Sequence, residues 1–507
     1  MILPSRRRGL SAAVAFAAAV GGAIVAVHYH RLGLTLSHYD SRGHLIVARR
    51  VIDSLTPGWQ QIGAVWLPLP HLLNLLPVQV DALYRSGASA VAISVVSFAI
   101  ATAAIAWIIV ALTGSPLVAL SGAAVFAFNP NVLYLQATPM TEPLLLALTT
   151  TAVALLIEWC AVGRPGSAPA SRGVGIVFAL ACLTRYEAWP VTAAALSVAV
   201  WVRWRQGDAW ALALRRVAGI ALYPAAAGLA FVVFSRIVIG HWFVSAGFFV
   251  PENKALGDPR LAAAEIVWGA HALSGYFMMI AAAAGIAPLL LAGLFRRERA
   301  DGLIALSLLA TAALPWLAFV DGHPFRIRYM VPLIAIEAVG AGYAAGVLAS
   351  VRRLRLVLPL VLLAAIGHEL RPLDAAAPMV IEAQWDRPNA PVRQTVTDCL
   401  RAGYGGETIM ASMGSLGHYM QEASHDGFAI RDFLHEGNGD LWLAALDGPR
   451  PFAGWVLIEE KANGGDVLAK IARENPHFLD GFSRVCEGAG LALYRRNEAG
   501  APIRTAR

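Results

Sequence analysis

Charge is scarce in this sequence. Asp, Glu, Lys and Arg make up only 14% of its 507 residues, against roughly 25% in soluble domains. Hydrophobic residues make up 57%, and the mean hydropathy is +0.59. These values exclude an ordinary soluble enzyme and imply a polytopic membrane protein. Cysteine is scarce too. Cys160, Cys182, Cys399 and Cys486 form no CxxC pair, so nothing suggests a zinc site. Internal repeats are absent, and no low-complexity linker occurs beyond RPGSAPASRG. The pI near 9.4 does not point to nucleic acid, because the arginines cluster in short loops between apolar runs.

Eleven apolar runs are long enough or nearly long enough to cross a bilayer: 10–28, 89–112, 116–135, 142–161, 173–184, 187–202, 217–239, 271–294, 302–320, 329–350 and 355–369. Arg6–Arg8 precede the first. That run is too long for a typical signal-peptide core, which favours a retained helix over a cleaved signal. Further clusters fall at Arg164 and Arg172, at Arg203, Arg205, Arg215 and Arg216, at Arg296, Arg297 and Arg299, and at Arg352, Arg353 and Arg355. The positive-inside rule makes that side cytoplasmic. The opposite, outer side then receives segment 29–88, the turn before Glu142, the TRYE turn at 184–187, the loops 240–268 and 321–328, and everything after residue 370. The expected domains are a transmembrane domain over 1–370, carrying the outer loop 29–88, and a soluble extracytoplasmic α/β domain over 371–507. The protein is expected in the cytoplasmic (inner) membrane. Strands are expected near 408–412, 453–459 and 491–496, with helices near 415–422 and 465–474. Cys399 and Cys486 either pair in an oxidising compartment or remain two separate core thiols.

Segment 37–74, SHYDSRGHLIVARRVIDSLTPGWQQIGAVWLPLPHLLN, is the polar stretch around which the chain is organised. Its apolar residues recur at helical spacing after Asp40, predicting a short helix along the membrane surface. Trp59, Trp66 and Tyr84 suit the headgroup level. Asp40 and His44 stand one helical turn apart. Other polar groups near the outer side are Glu142 in TPMTEPL, Arg185, Tyr186 and Glu187 in LTRYEAWP, and His323, Arg326, Arg328 and Tyr329 in DGHPFRIRYMVP. Thr141 is placed to cap the helix that Glu142 begins.

Carboxylates and arginines at the membrane edge suit sugar transfer from a lipid phosphate. A carboxylate takes the acceptor hydroxyl's proton, and guanidinium groups stabilise the departing phosphate. One base and one in-line displacement invert the anomeric centre. Each residue also has a structural alternative. Asp40 caps a helix, Glu142 complements a helix dipole, Arg185 and Glu187 pin a turn, and Arg326 and Arg328 snorkel to headgroups.

With these motifs the sequence resembles the GT-C superfamily of membrane glycosyltransferases, in the branch of protein O-mannosyltransferases and aminoarabinose transferases acting on lipid A. The resemblance covers roughly residues 10–350. It implies a polytopic α-helical GT-C-like fold, a polyprenyl-phosphate-linked sugar donor, a glycan, lipid or protein acceptor, and Asp40 as base. Glu142 is the second expected catalytic residue. Arg185, Arg326 and Arg328 are expected to hold the donor phosphate, and His44, Tyr186, Glu187, His323 and Tyr329 to line the cavity. The first loop departs from the more usual Asp-Glu pair followed by Tyr, reading YDSRGH instead. No metal is expected to be required; Asp40, His44 and Glu142 would be its ligands if a divalent ion took part. The competing function is a transporter or flippase for a lipid-linked saccharide, for which the sequence offers no pseudo-repeats and no broken helices.

Overall fold

The computed structural model describes residues 4–161, 171–242, 253–348 and 357–497. Arg164, Arg352, Arg353 and Arg355 of the loop clusters lie outside the described residues. The chain divides into two compact units.

The first unit comprises Met1–Gly33, Ala64–Pro70 and Ala90–Glu382 and is helical. Among the described residues, seven helices are long and apolar enough to cross a membrane: Arg7–Arg31, Ala88–Thr113, Glu142–Cys160, Trp210–Val238, Pro259–Phe295, Arg297–Val320 and Ile327–Val347. Pro116–Ala127, Ser171–Cys182 and Val357–Glu369 are shorter apolar helices. Ile327–Val347 is central, with 83% of its most apolar window buried, whereas Trp210–Val238 is peripheral, with 22%.

Glycine brings the central helices together. A Cβ on Gly285 would lie 1.8 Å from the carbonyl oxygen of Gly340, and one on Gly340 would lie 2.7 Å from that of Ala282. The backbones of Pro259–Phe295 and Leu333–Leu348 therefore touch, the close approach that small residues permit between membrane helices.

Two expected spans differ in detail. The run 116–135 is two helices, Pro116–Ala127 and Pro130–Leu135. Asn129 interrupts it, its side chain accepting from the amides of Asn131 (2.9 Å) and Val132 (3.4 Å) as an N-cap ahead of Pro130. The helix expected over 271–294 begins at Pro259, where Asp258 caps the amides of Arg260 and Leu261. It breaks at Gly275, whose φ is 75°. The break is filled by side chains. Asn129 and Asn131 both donate to the Leu273 carbonyl (2.9 and 3.0 Å), and the amides of Tyr276 and Phe277 donate to Glu369 (2.7 and 2.8 Å).

The second unit comprises Leu34–Gly63, His71–Ser89 and Ala383–Arg507. Its sheet has strands β1 (Ile409–Ala411), β2 (Phe433–Leu434), β3 (Trp455–Glu459), β4 (Phe482–Gly488) and β5 (Leu491–Arg496) in the order β2-β1-β3-β5-β4. β1 runs parallel to β2 and β3, while β5 is antiparallel to both β3 and β4. Met410, Leu434, Val456, Ile458, Leu468 and Phe478 form its core. The three expected strands are present. Two further strands lie outside that expectation: β2 is only two residues long, and β4 is an edge strand whose Arg484 and Glu487 interrupt the apolar pattern. A disulfide joins Cys399, in helix Ala390–Gly403, to Cys486 in β4.

The helix predicted after Asp40 exists as Tyr39–Arg49, but it is not half exposed. Asp40, Ser41, His44 and Leu45 through Arg49 are all buried. Burial of these polar groups is possible because acids from later in the chain meet the arginines. Tyr84 is likewise covered by protein. It is buried within this unit, with the Arg49 guanidinium 4.4 Å from its ring centre. Trp59 is 60% exposed.

Two substitutions test the helix crossing. Gly285→Ala should lower the thermal midpoint by several degrees, whereas Gly219→Ala, with nothing within 4 Å of its added Cβ, should leave it unchanged; equal midpoints would refute the close backbone contact. The second unit should also be acid-sensitive. Burial pushes His418 down to about 4 and His435 to about 3. Unfolded histidine protonates near 6.5. The stability tied to these neutral rings is thus complete above about pH 6.5 and falls as pH drops from there towards 4, by about 1.4 kcal/mol per pH unit for each histidine. Melting curves at pH 7.5 and 5 that coincide would contradict this.

Candidate active site

In the first unit the site is built on the start of helix Glu142–Cys160 and on the turn between helices Ser171–Cys182 and Ala188–Arg205. The Leu69 amide donates to the Leu183 carbonyl (2.9 Å) and the Trp189 indole to the Cys182 carbonyl (2.9 Å), which fixes the turn. Arg185 projects from it. Its Nη1 lies 3.0 Å from Glu142 Oε1 and donates to Thr141 Oγ1 at 3.0 Å. Its Nη2 and Nε reach Glu187 Oε1 at 2.5 and 3.1 Å. Glu142 is fully buried and Glu187 nearly so. Thr141 stands at the N-cap position, but its hydroxyl makes no capping bond. Arg185 takes it instead.

Burial opposes the charge on Arg185, but Glu142 and Glu187 outweigh it and hold the guanidinium pKa above its ordinary value. Arg328 is near enough to push the other way. Arg328 is itself buried, with its guanidinium 5.3 Å from the Tyr329 ring centre. His323 Nδ1 contacts the Pro324 carbonyl at 2.9 Å, and its ring meets Tyr329 with centroids 5.5 Å apart. Burial pushes the His323 pKa down and the Pro324 carbonyl opposes that; Arg326 and Arg328 push it further down. The structure therefore brings Glu142, Arg185, Glu187 and Arg328 into one electrostatic group, with Arg326, His323 and Tyr329 beside it. Tyr186 has a separate task. Its hydroxyl donates to the Ala64 carbonyl (3.2 Å) and its ring packs on Trp189 and Phe231. Burial raises its pKa to about 12.

Asp40 and His44 belong to the second unit. Asp40 lies in the first turn of Tyr39–Arg49 and is not the cap. His38 is, its Nδ1 accepting from the Asp40 amide at 3.2 Å. His44 Nδ1 meets His71 Nε2 at 3.1 Å. His71 was not singled out in the sequence, because a lone histidine in WLPLPHLLN carries no spacing signal. Among the described residues no three His, Cys, Asp or Glu side chains group as metal ligands.

No family model and no curated protein matches the chain. Solved structures do. ArnT from Cupriavidus metallidurans bound to undecaprenyl phosphate aligns with a TM-score of 0.59 at 12% identity, covering 94% of this chain and 98% of that one. The apo state of that protein aligns with a TM-score of 0.58. The Archaeoglobus fulgidus oligosaccharyltransferase AglB, in complex with an inhibitory peptide and a dolichol-phosphate, aligns with a TM-score of 0.51 at 12% identity, covering 97% and 75%. The chain has their fold, as the sequence motifs implied.

The ion triad has a clear test. Arg185→Met would leave Glu142 and Glu187 buried without their counter-charge, a loss of about 3–5 kcal/mol. The protein should melt well below the native form, and adding Glu142→Gln and Glu187→Gln should recover much of the loss. An unchanged midpoint in Arg185→Met would show that the triad does not hold the turn.

Proposed function

We propose that the protein is a membrane glycosyltransferase that moves a sugar from a polyprenyl-phosphate-linked donor to an acceptor hydroxyl at the outer face of the cytoplasmic membrane. The observation that carries this reading is the likeness over nearly the whole of both chains to a structure bound to undecaprenyl phosphate. Asp40 is the base. It takes the proton as the acceptor oxygen attacks the anomeric carbon, the bond from that carbon to the lipid phosphate breaks, and the configuration inverts. Arg326 and Arg328 stabilise the phosphate as it leaves. Three oxygens already engage Arg185, so its part is to hold Glu142 and Glu187 rather than to bind the donor first. The acceptor is a glycan, lipid or protein hydroxyl.

The second unit lies on the extracytoplasmic side in this reading. The Cys399–Cys486 disulfide supports that, since such bonds persist in oxidising compartments. A transporter gains one observation, the helix break at Gly275, because transporters bind substrate at broken helices. Here the Leu273 carbonyl and the Tyr276 and Phe277 amides are bonded by the protein's own Asn129, Asn131 and Glu369. The break is a sealed structural joint, which favours the enzyme.

Reconstitution with polyprenyl-phosphate sugars should give sugar transfer with inversion. Asp40→Asn should lower kcat by about 100-fold or more; full activity in that variant would remove Asp40 as base. Arg326→Gln and Arg328→Gln should weaken donor use, and unchanged donor KM and kcat would remove them from the phosphate site. A reporter fused after residue 370 should be read outside the cytoplasm.

A further inference from the structure

Helix Tyr39–Arg49, which carries Asp40, is held at both ends by charge. At its end, Arg49 donates to Asp53 (2.8 Å), Asp81 (2.6 Å) and the Val78 carbonyl (3.2 Å). At its start, Arg42 pairs with Glu422 of helix Met413–Ala423. Glu422 does not stand alone. Arg393 donates to both of its oxygens at 2.7 Å, and also to Asp386 at 2.8 Å. Two cations thus alternate with two anions. Burial weakens the charge on each acid, but their arginine partners outweigh it and hold both pKa values below the ordinary carboxylate range.

The rest of the segment is tied as firmly. Parallel strands β1 and β2 end at Ala411 and Leu434, and open sheets usually leave a ligand crevice beyond such ends. Here residues 50–61 take that place. Gln61 donates to the Gly437 carbonyl (2.7 Å), Asn438 donates to Ser54 (3.2 Å) and Thr56 (2.9 Å), and Arg50 donates to Met413 Sδ (2.7 Å). The sheet's crevice holds the chain's own Asp40 segment.

We propose that Glu422 and Arg393 are positioning residues for Asp40, the chain Arg42–Glu422–Arg393–Asp386 setting the rotation of the helix that presents it. Arg42 and Asp40 are two residues apart, so they point to roughly opposite sides of the helix. An anchor on the Arg42 side therefore fixes where the Asp40 side faces. The inference rests on Asp40 being the base of the proposed transfer.

The test uses the full chain reconstituted with a polyprenyl-phosphate sugar. Arg42→Met and Glu422→Gln should each lower kcat by about tenfold to a hundredfold with donor KM within about twofold of native. The double variant should lose no more than the worse single one. Arg42→Lys, which keeps the charge, should recover most of kcat. Hydrogen exchange gives a readout independent of activity: amides of Tyr39–Arg49 should exchange faster in Glu422→Gln, with β3 and β5 unchanged. Faster exchange with native kcat, while Asp40→Asn is inactive, would overturn the positioning role. A fully active Asp40→Asn would instead overturn the base, and the exchange result would still report on the clamp. Loss of protection in β3 and β5 as well would mean that Glu422 only supports folding, and would also overturn the proposal.

Discussion

A charge removed from water must meet an opposite charge nearby, and both units of this protein are arranged around that constraint. In the first unit, Arg185 answers two buried carboxylates that come from separate places in the chain, Glu142 at the head of one helix and Glu187 beside it in the turn. Neither acid is tolerable at that depth without the guanidinium. The turn must therefore sit where its arginine reaches the helix start, and Thr141 gives up its capping bond to complete the set. In the second unit, Arg49 answers the buried Asp53 and the half-exposed Asp81, and Arg42 and Arg393 meet Glu422, with Arg393 also reaching the partly exposed Asp386. A segment that looks too polar to pack is packed because every arginine in its helix has an acid to meet.

The apolar part obeys a different limit. Lipid gives helices no hydrophobic reason to associate, so packing has to come from close approach. Gly285 and Gly340 permit it, and the Gly275 break shows what happens when a helix cannot remain regular. Backbone groups released there would be costly in lipid. Two asparagines and one carboxylate take them up, which makes Asn129, Asn131 and Glu369 parts of the backbone's hydrogen bonding rather than candidates for chemistry.

The helices were legible because hydropathy reports them directly. Among the described residues the eleven apolar runs all correspond to helices, and the stop at Asn129-Pro130 and the break at Gly275 are interruptions that hydropathy alone passes over. Three strands were legible from their alternation; β2 was not, because it is only two residues long, and β4 was not, because an edge strand need not alternate. Glu142, Arg185, Glu187 and Arg328 stand out in the sequence because all four flank apolar runs, and the structure brings these four together. The roles of Arg42 and Tyr84 were not legible. Their partners, Glu422 and Arg49, are set by tertiary contacts, and in the case of Glu422 they lie 380 residues away. Amphipathic spacing shows that a helix has two faces, but not whether water, lipid or protein meets the second.

The unusual YDSRGH reading bears on mechanism within the proposed function. Where an Asp-Glu pair would supply two acids from adjacent positions, this chain offers Asp40 followed by Ser41, a buried neutral side chain. A retaining reaction needs a second carboxylate as nucleophile. Among the described residues of the other unit Glu142, Glu187, Glu337 and Glu382 are buried, and Glu142 and Glu187, the two in the candidate site, each have a carboxylate oxygen engaged by the Arg185 guanidinium. Attack on carbon through either oxygen would turn the carboxylate into a neutral ester, removing a negative charge that answers Arg185 in a site where burial already opposes the guanidinium charge. A single displacement asks for no such rearrangement. It needs one carboxylate that accepts a proton and cations that meet the leaving phosphate, so the loss of the second acid beside Asp40 and the commitment of Arg185 to two carboxylates both favour inversion.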